Sequence, residues 1–401
     1  MKILFVATEY PEKGRPTTGF PNYLYRISLA LVRMGHTPII LGAGKKADHR
    51  MEQGIDIWMI KTERKNYNSE VFNYAVNGLR KSYLLNKKAK KIIKSYSVDV
   101  VQFTSLEGSA IFYRGKIPAV LRLSSYAKTY FSSFQTFQPT TVKVLSAMER
   151  WSAHRCNIVY APCRITAEAF GKDCNRKVKV IETPFLNDVL EEEYDNTYVE
   201  KYLKNKKYIL FFGSLYAEKG ILVIAEILRD FFQNNPQYYF VFVGDICQID
   251  GENAANMLMR SAEKYKDRVI IWKALPHKQL YPIIKNADFV VLPSLMDNFP
   301  NACIEAMYFE RVVIGTNGAS FEQLITHEKT GLLCEIGDAE DLLEKMQMAA
   351  DMSDIQKVQM GRYAKIRVDK LKPELVVKKL LNLYEYVIEN NKKAARSIIK
   401  E

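Results

Sequence analysis

The sequence predicts an α/β protein made of two domains, each a doubly wound parallel sheet. Three observations lead there. Short apolar runs alternate with amphipathic stretches along nearly the whole chain. The rhythm breaks once, over residues 188–206, and then restarts. The chain has 401 residues, more than one hydrophobic core ordinarily holds. With 48% hydrophobic and 26% charged residues there is apolar material for two cores and no signature of disorder.

The first elements read as strand, helix, strand. "KILFVAT" is a buried strand; in "NYLYRISLALVRMGH" Leu24, Ile27, Leu31 and Met34 recur at helical spacing; "TPIILGAG" is apolar again. The same rhythm continues through "LLNKKAKKIIKSY", "VDVVQFTS", "PAVLRLSS", the long helix "TVKVLSAMERWSAHR", "CNIVYAPC" and "KVKVIETPF". Residues 188–206 are acidic and polar with no strand signal, and read as a linker with a short helix. After them come "YILFFGS", a helix from Leu222 to Phe232, "YYFVFVGD", a helix from Ala254 to Tyr265, "RVIIWKA", "KQLYPIIKNA", "DFVVLPS", a helix after Pro300, "RVVIGTN", "SFEQLI" and "GLLCEI". Strands with continuous apolar runs and helical crossovers are those of parallel sheets covered on both faces. The expected domains are therefore 1–187 and 207–374, with a C-terminal helix, 375–401, packing back on the first.

The formal charge of +13 is uneven. Residues 1–190 hold 30 Lys+Arg against 14 Asp+Glu, or +16, and the rest carries −3. A solvated lysine-rich surface explains this as well as a face that meets phospholipid, a lipid-linked phosphate or nucleic acid. Six cysteines show no CxxC pair and five histidines no ligand spacing, so reduced thiols and a cytoplasmic location are expected, without a metal or resident cofactor. The opening "MKILFVATEY" reads as a first strand, not a signal peptide, and no apolar stretch has the length of a spanning helix.

In a doubly wound domain ligands sit at the carboxyl ends of the strands. "FFGSLYAEKG" leaves a strand at Gly213 and Ser214 and presents Lys219 before a helix, where an ammonium suits phosphate oxygens as a point charge. "PSLMDNFPNACIEAM" places Asp297 and Glu305 around a helix start, with Pro300 fitted to the first turn and Asn301 an alternative N-cap. The free amides near Phe299, Pro300, Asn301 and Ala302 make an anion site, flanked by two acids able to accept from sugar and ribose hydroxyls. An ordinary capping acid beside a surface Glu is the bland alternative.

These ordered motifs, "FFGSLYAEKG", "ADFVVLPSLMDNFPNACIEAM", "RVVIGTNGASFEQL" and "HEKTGLL", resemble the GT-B glycosyltransferases of the large retaining family four. "TTGFPNYLYRISLALVRMGHTPIIL" is similar to that family's N-terminal glycine loop, helix and Gly-His turn. The resemblance implies two Rossmann-like domains facing a central cleft, and metal-independent hexosyl transfer from a nucleotide-diphosphate sugar to a glycan or lipid-linked saccharide, as in bacterial surface polysaccharide synthesis. Carried over by position, Lys219 binds the donor diphosphate, Asp297 contacts the transferred sugar and Glu305 holds the ribose. Phe299, Pro300, Asn301 and Ala302 reach sugar and phosphates, Gly19 approaches the diphosphate, and Ala274 flanks the base. With no metal, fixed cations and amides must neutralise the leaving nucleotide.

This chain departs from the pattern at three places. Ser214 stands where the family has an Arg, Asp297 where it has a Glu, and "LRLSSY" where many members have a His, leaving Arg122 as a nearby charge. These departures motivate the rival reading of a catalytically silent nucleotide-sugar-binding protein. A nucleic-acid binder is a second rival, but no recognition module is present. Among weaker candidates, His154 and Arg155 read as packed or surface residues, Glu149 as a residue facing the cleft, and Tyr126, Tyr130, Phe131 and Phe134 as core or acceptor-lining aromatics. The segment "LRKSYLLNKKAKKIIK", with Leu79, Leu84, Lys87, Lys88, Lys90 and Lys91, is a candidate for peripheral contact with an anionic membrane at its inner face.

Overall fold

The computed structural model describes residues 1–12, 19–132, 137–187 and 189–400, with side chains given for these except 132 and 394–400. Phe134 lies outside the described residues. The chain divides into two compact units, Met1–Leu186 with Leu371–Glu401, and Asn187–Lys370.

In the first unit, strand β1 (Lys2–Val6) leads into helix α1 (Gly19–Arg33), and β2 (Thr37–Gly44), β3 (Asp48–Glu52) and β4 (Ile55–Lys61) precede α2 (Glu70–Tyr96). Then follow β5 (Val100–Thr104), β6 (Ala119–Arg122), α3 (Ala127–Ser132), α4 (Pro139–His154), β7 (Ile158–Ala161), α5 (Arg164–Cys174) and β8 (Lys179–Val180). The eight strands lie in the order β3-β4-β2-β1-β5-β6-β7-β8. All pairs are parallel except β3 with β4, so the expected parallel sheet carries one antiparallel edge. That edge escapes a search for apolar runs because "DHRME" is polar and largely exposed.

Successive residues of β1 supply two cores, as the twofold alternation of a strand requires. Ile3 and Phe5 join one apolar cluster with Leu24, Ile27 and Leu31 of α1, while Leu4 and Val6 join another with Leu85, Ala89 and Ile92 of α2. Helix α12 (Pro373–Lys400) completes the first cluster with Val376, Val377, Leu380 and Tyr384. A buried polar chain crosses it. Both Tyr160 and Tyr384 donate to Gln102 Oε1, at 2.9 and 2.6 Å, and the Tyr160 and Tyr23 hydroxyls meet at 2.7 Å.

The second unit begins with irregular chain holding short turns at Glu191–Glu193 and Val199–Leu203. It continues with β9 (Lys207–Phe212), α6 (Ile221–Asn234), β10 (Tyr238–Val243), the small hairpin β11 (Gln248–Ile249) and β12 (Glu252–Asn253), and α7 (Ala254–Ser261). Next come β13 (Val269–Trp272), α8 (His277–Asn286), β14 (Phe289–Leu292), α9 (Asn301–Tyr308), β15 (Val312–Thr316), β16 (Leu332–Cys334), α10 (Ala339–Asp351) and α11 (Asp354–Asp369). The helix expected from Ala254 to Tyr265 is shorter: α7 stops at Ser261, and a 3-10 turn covers Glu263–Arg268. The six-stranded sheet is parallel throughout, in the order β13-β10-β9-β14-β15-β16. From β9 the chain builds outward on one side through β10 and β13, then crosses back to lay β14 on the other. The strand order therefore reverses between β9 and β14, the position at which such sheets open a crevice for ligands.

Candidate functional site

Three loops at the carboxyl ends of the second sheet are bound together by their backbones. After β9, the Gly213 N–H donates to Val243 O at 2.9 Å and the Leu215 N–H to Asp245 O at 2.8 Å. A Cβ on Gly244 would stand 1.7 Å from Gly213 O, so only glycine admits this approach. The chain then makes a 3-10 turn, Ala217–Lys219, ending at Gly220 with φ +77°. A Cβ on Gly220 would meet Pro293 O at 2.0 Å, and the Leu295 N–H donates to Glu218 O at 2.8 Å. The loop after β14 is thereby drawn onto the turn after β9.

That contact delivers two side chains, 78 positions apart, to one spot. The Lys219 ammonium donates to Asp297 Oδ2 at 2.6 Å, with the side chains 35% and 19% exposed. Both remain open enough to meet a ligand. Beyond Asp297 the chain buries Phe299 and Pro300 and enters α9. Here the sequence expectation is corrected. Pro300 is the cap residue, in extended conformation, and Asn301 is the first helical residue; neither fills the role assigned to it. Pro300, as the cap residue, makes no side-chain cap hydrogen bond, and the first turn of α9, with Asn301 and Ala302, carries the partial positive charge of a helix N-terminus. Glu305 follows on α9, only 9% exposed.

The remaining candidates distribute as follows. Ser214, half-buried, and the exposed Gly213 stand at the end of β9, and Ala274 is exposed in the loop between β13 and α8. Gly19 belongs to the first unit, where it opens α1 with φ +42°. Within the motif "RVVIGTNGASFEQL", after β15, the Gly318 N–H donates to Glu322 at 3.2 Å, a contact that sequence reasoning did not assign. Among the described residues no group of three or more His, Cys, Asp or Glu could hold a metal ion, and no helix is long and apolar enough to cross a membrane.

In the first unit, several weaker candidates prove structural. Tyr126 is fully buried, its hydroxyl donating to Asp173 at 2.6 Å and its ring edge-on to Phe170, so it belongs to the core and not to an acceptor site. Tyr130, Phe131 and Phe137 pack edge to face. Glu149 is buried and accepts the Ala127 N–H at 2.9 Å, tethering the start of α3; burial pushes its carboxyl up to about 8. Arg122 is buried at the end of β6, its guanidinium 3.7 Å from the Tyr23 ring centroid and donating to Ser124 at 2.8 Å and Thr183 at 3.1 Å. His154 is exposed at the end of α4, and Arg155 follows it as the C-cap.

The chain matches two family models, "Glycosyl transferases group 1" over residues 196–367 and "Glycosyltransferase Family 4" over residues 17–185. The chain belongs to the GT-B glycosyltransferases, and resembles family 4. Among curated relatives, this GT-B chain is 24% identical over 228 residues to the uncharacterized glycosyltransferase YqgM of Bacillus subtilis, covering 56% of this chain and 59% of that one. It is 28% identical over 145 residues to the UDP-Gal:alpha-D-GlcNAc-diphosphoundecaprenol alpha-1,3-galactosyltransferase of Escherichia coli, covering 35% of each. The matched segments thus span about a third to three-fifths of these relatives. In fold, the GT-B chain is similar to the sucrose-phosphate synthase of Thermosynechococcus elongatus, with a TM-score of 0.73 at 16% identity over 97% of this chain and 99% of the other.

Proposed function

We propose that this chain is a retaining, metal-independent glycosyltransferase that moves a hexosyl group from a nucleotide-diphosphate sugar to a hydroxyl of a glycan or lipid-linked saccharide in bacterial surface polysaccharide synthesis. The observation that carries the reading is the Lys219–Asp297 pair, set at the strand-order reversal and followed directly by the N-terminus of α9. An ammonium, a helix terminus and a carboxylate suit a diphosphate with a sugar on one side. In this reading Lys219 and the amides of Asn301 and Ala302 take the diphosphate, Asp297 turns to the sugar hydroxyls, and Glu305 accepts from the ribose.

Transfer needs no protein nucleophile. The bond from the anomeric carbon to the leaving diphosphate oxygen breaks as the acceptor oxygen bonds to the same face of that carbon. The acceptor proton passes to a phosphate oxygen of the leaving group. Lys219 and the amides carry the charge that accumulates there. One relative, the Escherichia coli galactosyltransferase, is named for transfer to a diphosphoundecaprenol-linked sugar, and this supports the reading of a lipid-linked acceptor used at the inner face of a membrane. The test is a panel of UDP-, GDP- and ADP-sugars screened by thermal shift and then assayed with EDTA present, the product anomer being read by NMR. Transfer with retained configuration supports the proposal; an inverted product or a requirement for divalent metal contradicts it. Binding without hydrolysis or transfer to any acceptor favours the silent nucleotide-sugar-binding protein, a reading motivated by Ser214 in place of a second cation.

A further inference from the structure

Helix α2 is 27 residues long, about 40 Å at 1.5 Å per residue, and from residue 71 to residue 98 the chain holds no Asp or Glu but seven cations: Arg80, Lys81, Lys87, Lys88, Lys90, Lys91 and Lys94. Two of these are committed to the fold. Lys81 pairs with Glu107 at 2.6 Å, and Lys88 lies 3.8 Å from the centroid of the Trp58 ring. The other five form no salt bridge among the described residues and are exposed.

Those five share one face with two aromatic residues. At roughly 100° per residue, Phe72, Arg80, Tyr83, Lys87, Lys90, Lys91 and Lys94 fall within an arc of about 100°. The opposite face of α2 buries Leu85, Ala89 and Ile92 against the sheet, and Gly78 and Ser82 against the segment around Glu107–Ser109. Phe72 is 59% and Tyr83 52% exposed, and Tyr83 stands edge-on to the exposed Phe112 with ring centroids 5.8 Å apart. Apart from Ser95 the other exposed side chains of α2 are all cationic, and aromatic rings left in water along such a helix have a common explanation in an anionic bilayer, which takes rings at its interface and ammonium groups at its headgroups. The sequence-level candidates shift accordingly. Leu79 and Leu84 are half-buried and Lys88 is engaged with Trp58, so the face belongs to Phe72, Tyr83 and the outward lysines instead.

We infer that this face of α2, with Phe112 beside it, docks the first unit on an anionic membrane surface: the rings enter the interface near the N-terminal half of the helix and the lysines meet lipid phosphates along the remainder. The inference deepens the lipid-linked branch of the proposed function without resting on donor chemistry, since vesicle binding and sugar transfer are read in separate assays.

The test is co-sedimentation of the full chain with phosphatidylcholine vesicles that contain or lack phosphatidylglycerol. The chain is expected to partition onto the anionic vesicles and to come off as salt rises. Replacing Lys87, Lys90 and Lys94 together by Glu is expected to lower the partition coefficient roughly a hundredfold or more, given the attraction of each cation to an anionic surface. Phe72→Ser with Tyr83→Ser is expected to weaken binding about tenfold while keeping its salt dependence. A control with the same charge change elsewhere, Lys204, Lys264 and Lys266 to Glu, is expected to keep most of the binding. All these side chains are on the surface, and unchanged melting curves establish that the variants are folded. Equal binding to neutral and anionic vesicles, no loss in the α2 charge reversal, or an equal loss in the control overturns the inference. Retention on unrelated duplex DNA as tight as on anionic vesicles at the same salt also overturns it, in favour of a nucleic-acid face.

Discussion

The Lys219 ammonium and the Asp297 carboxylate meet at 2.6 Å although 78 residues separate them in the chain. Any diphosphate that uses this ammonium must share it with Asp297 or draw it away. Asp297→Asn is therefore expected to tighten binding of the free nucleoside diphosphate about two- to fivefold, the range of a partly exposed ion pair. The same variant is expected to lower sugar transfer about a hundredfold, because the carboxylate is lost to the sugar. Calorimetry with the diphosphate and steady-state rates with the nucleotide sugar check the two halves separately. Parallel losses in both would show that Asp297 only supports the loop.

In the proposed function Glu305 accepts from the ribose. Glu305→Gln keeps the shape of a nearly buried side chain but removes its charge. Hydrogen bonds to a charged group contribute about 1.5–3 kcal/mol, so the donor KM is expected to rise roughly ten- to a hundredfold with a smaller change in kcat. The discriminating readout is the preference for a ribonucleotide over its 2′- and 3′-deoxy forms, which the variant should lose. An undiminished preference would assign the ribose to another group.

The turn that carries Lys219 depends on Gly220. With φ +77° and Pro293 O at 2.0 Å from a Cβ, Gly220→Ala is expected to cost a few kcal/mol and to part the loops that hold Lys219 and Asp297. Urea unfolding of the full chain measures the first effect. Thermal shift with the nucleoside diphosphate measures the second. Ser214→Ala, in the neighbouring turn with no such close approach, should leave stability nearly unchanged.

The buried Glu149 gives the first unit a pH dependence. Burial raises its carboxyl to about 8, so the folded chain holds this proton where the unfolded chain has released it. Its contribution to stability is complete below the unfolded value, near 4.5, and is lost as pH rises through about 8. Glu149→Gln can still accept the Ala127 N–H but does not titrate. Melting temperatures of wild type and variant from pH 4.5 to 8.5 should converge at the acid end and separate toward alkaline pH, the variant being the more stable. A constant difference across the range would exclude titration of Glu149 as the cause.

How much of this was legible beforehand follows from what each signal requires. Strands such as β9 and β14 declare themselves because parallel strands covered on both faces are apolar at every position, as in "YILFF" and "FVVL". The polar edge strand β3 does not, since "DHRME" is held by pairing to β4 and little by burial. A helix start near Pro300 is visible in residue types, but whether proline caps the helix or opens it depends on how Phe299 and Pro300 are buried. The Lys219–Asp297 pairing was beyond reach of spacing alone, because it is produced by the lateral neighbourhood of β9 and β14 and by one glycine fitting under Pro293. The outward face of α2 was visible only as a lysine-rich segment. Telling Lys87 and Lys90 from Lys88 required Trp58, which lies on another element.

The measurement that bears most directly on the whole account is calorimetric titration of wild type and Lys219→Ala with the nucleoside diphosphate giving the largest thermal shift. Loss of a charge-assisted phosphate contact predicts roughly ten- to a hundredfold weaker binding in the variant at unchanged melting temperature, with Lys219→Arg in between. Equal affinity in the two proteins would contradict the account, since the diphosphate would then be held elsewhere.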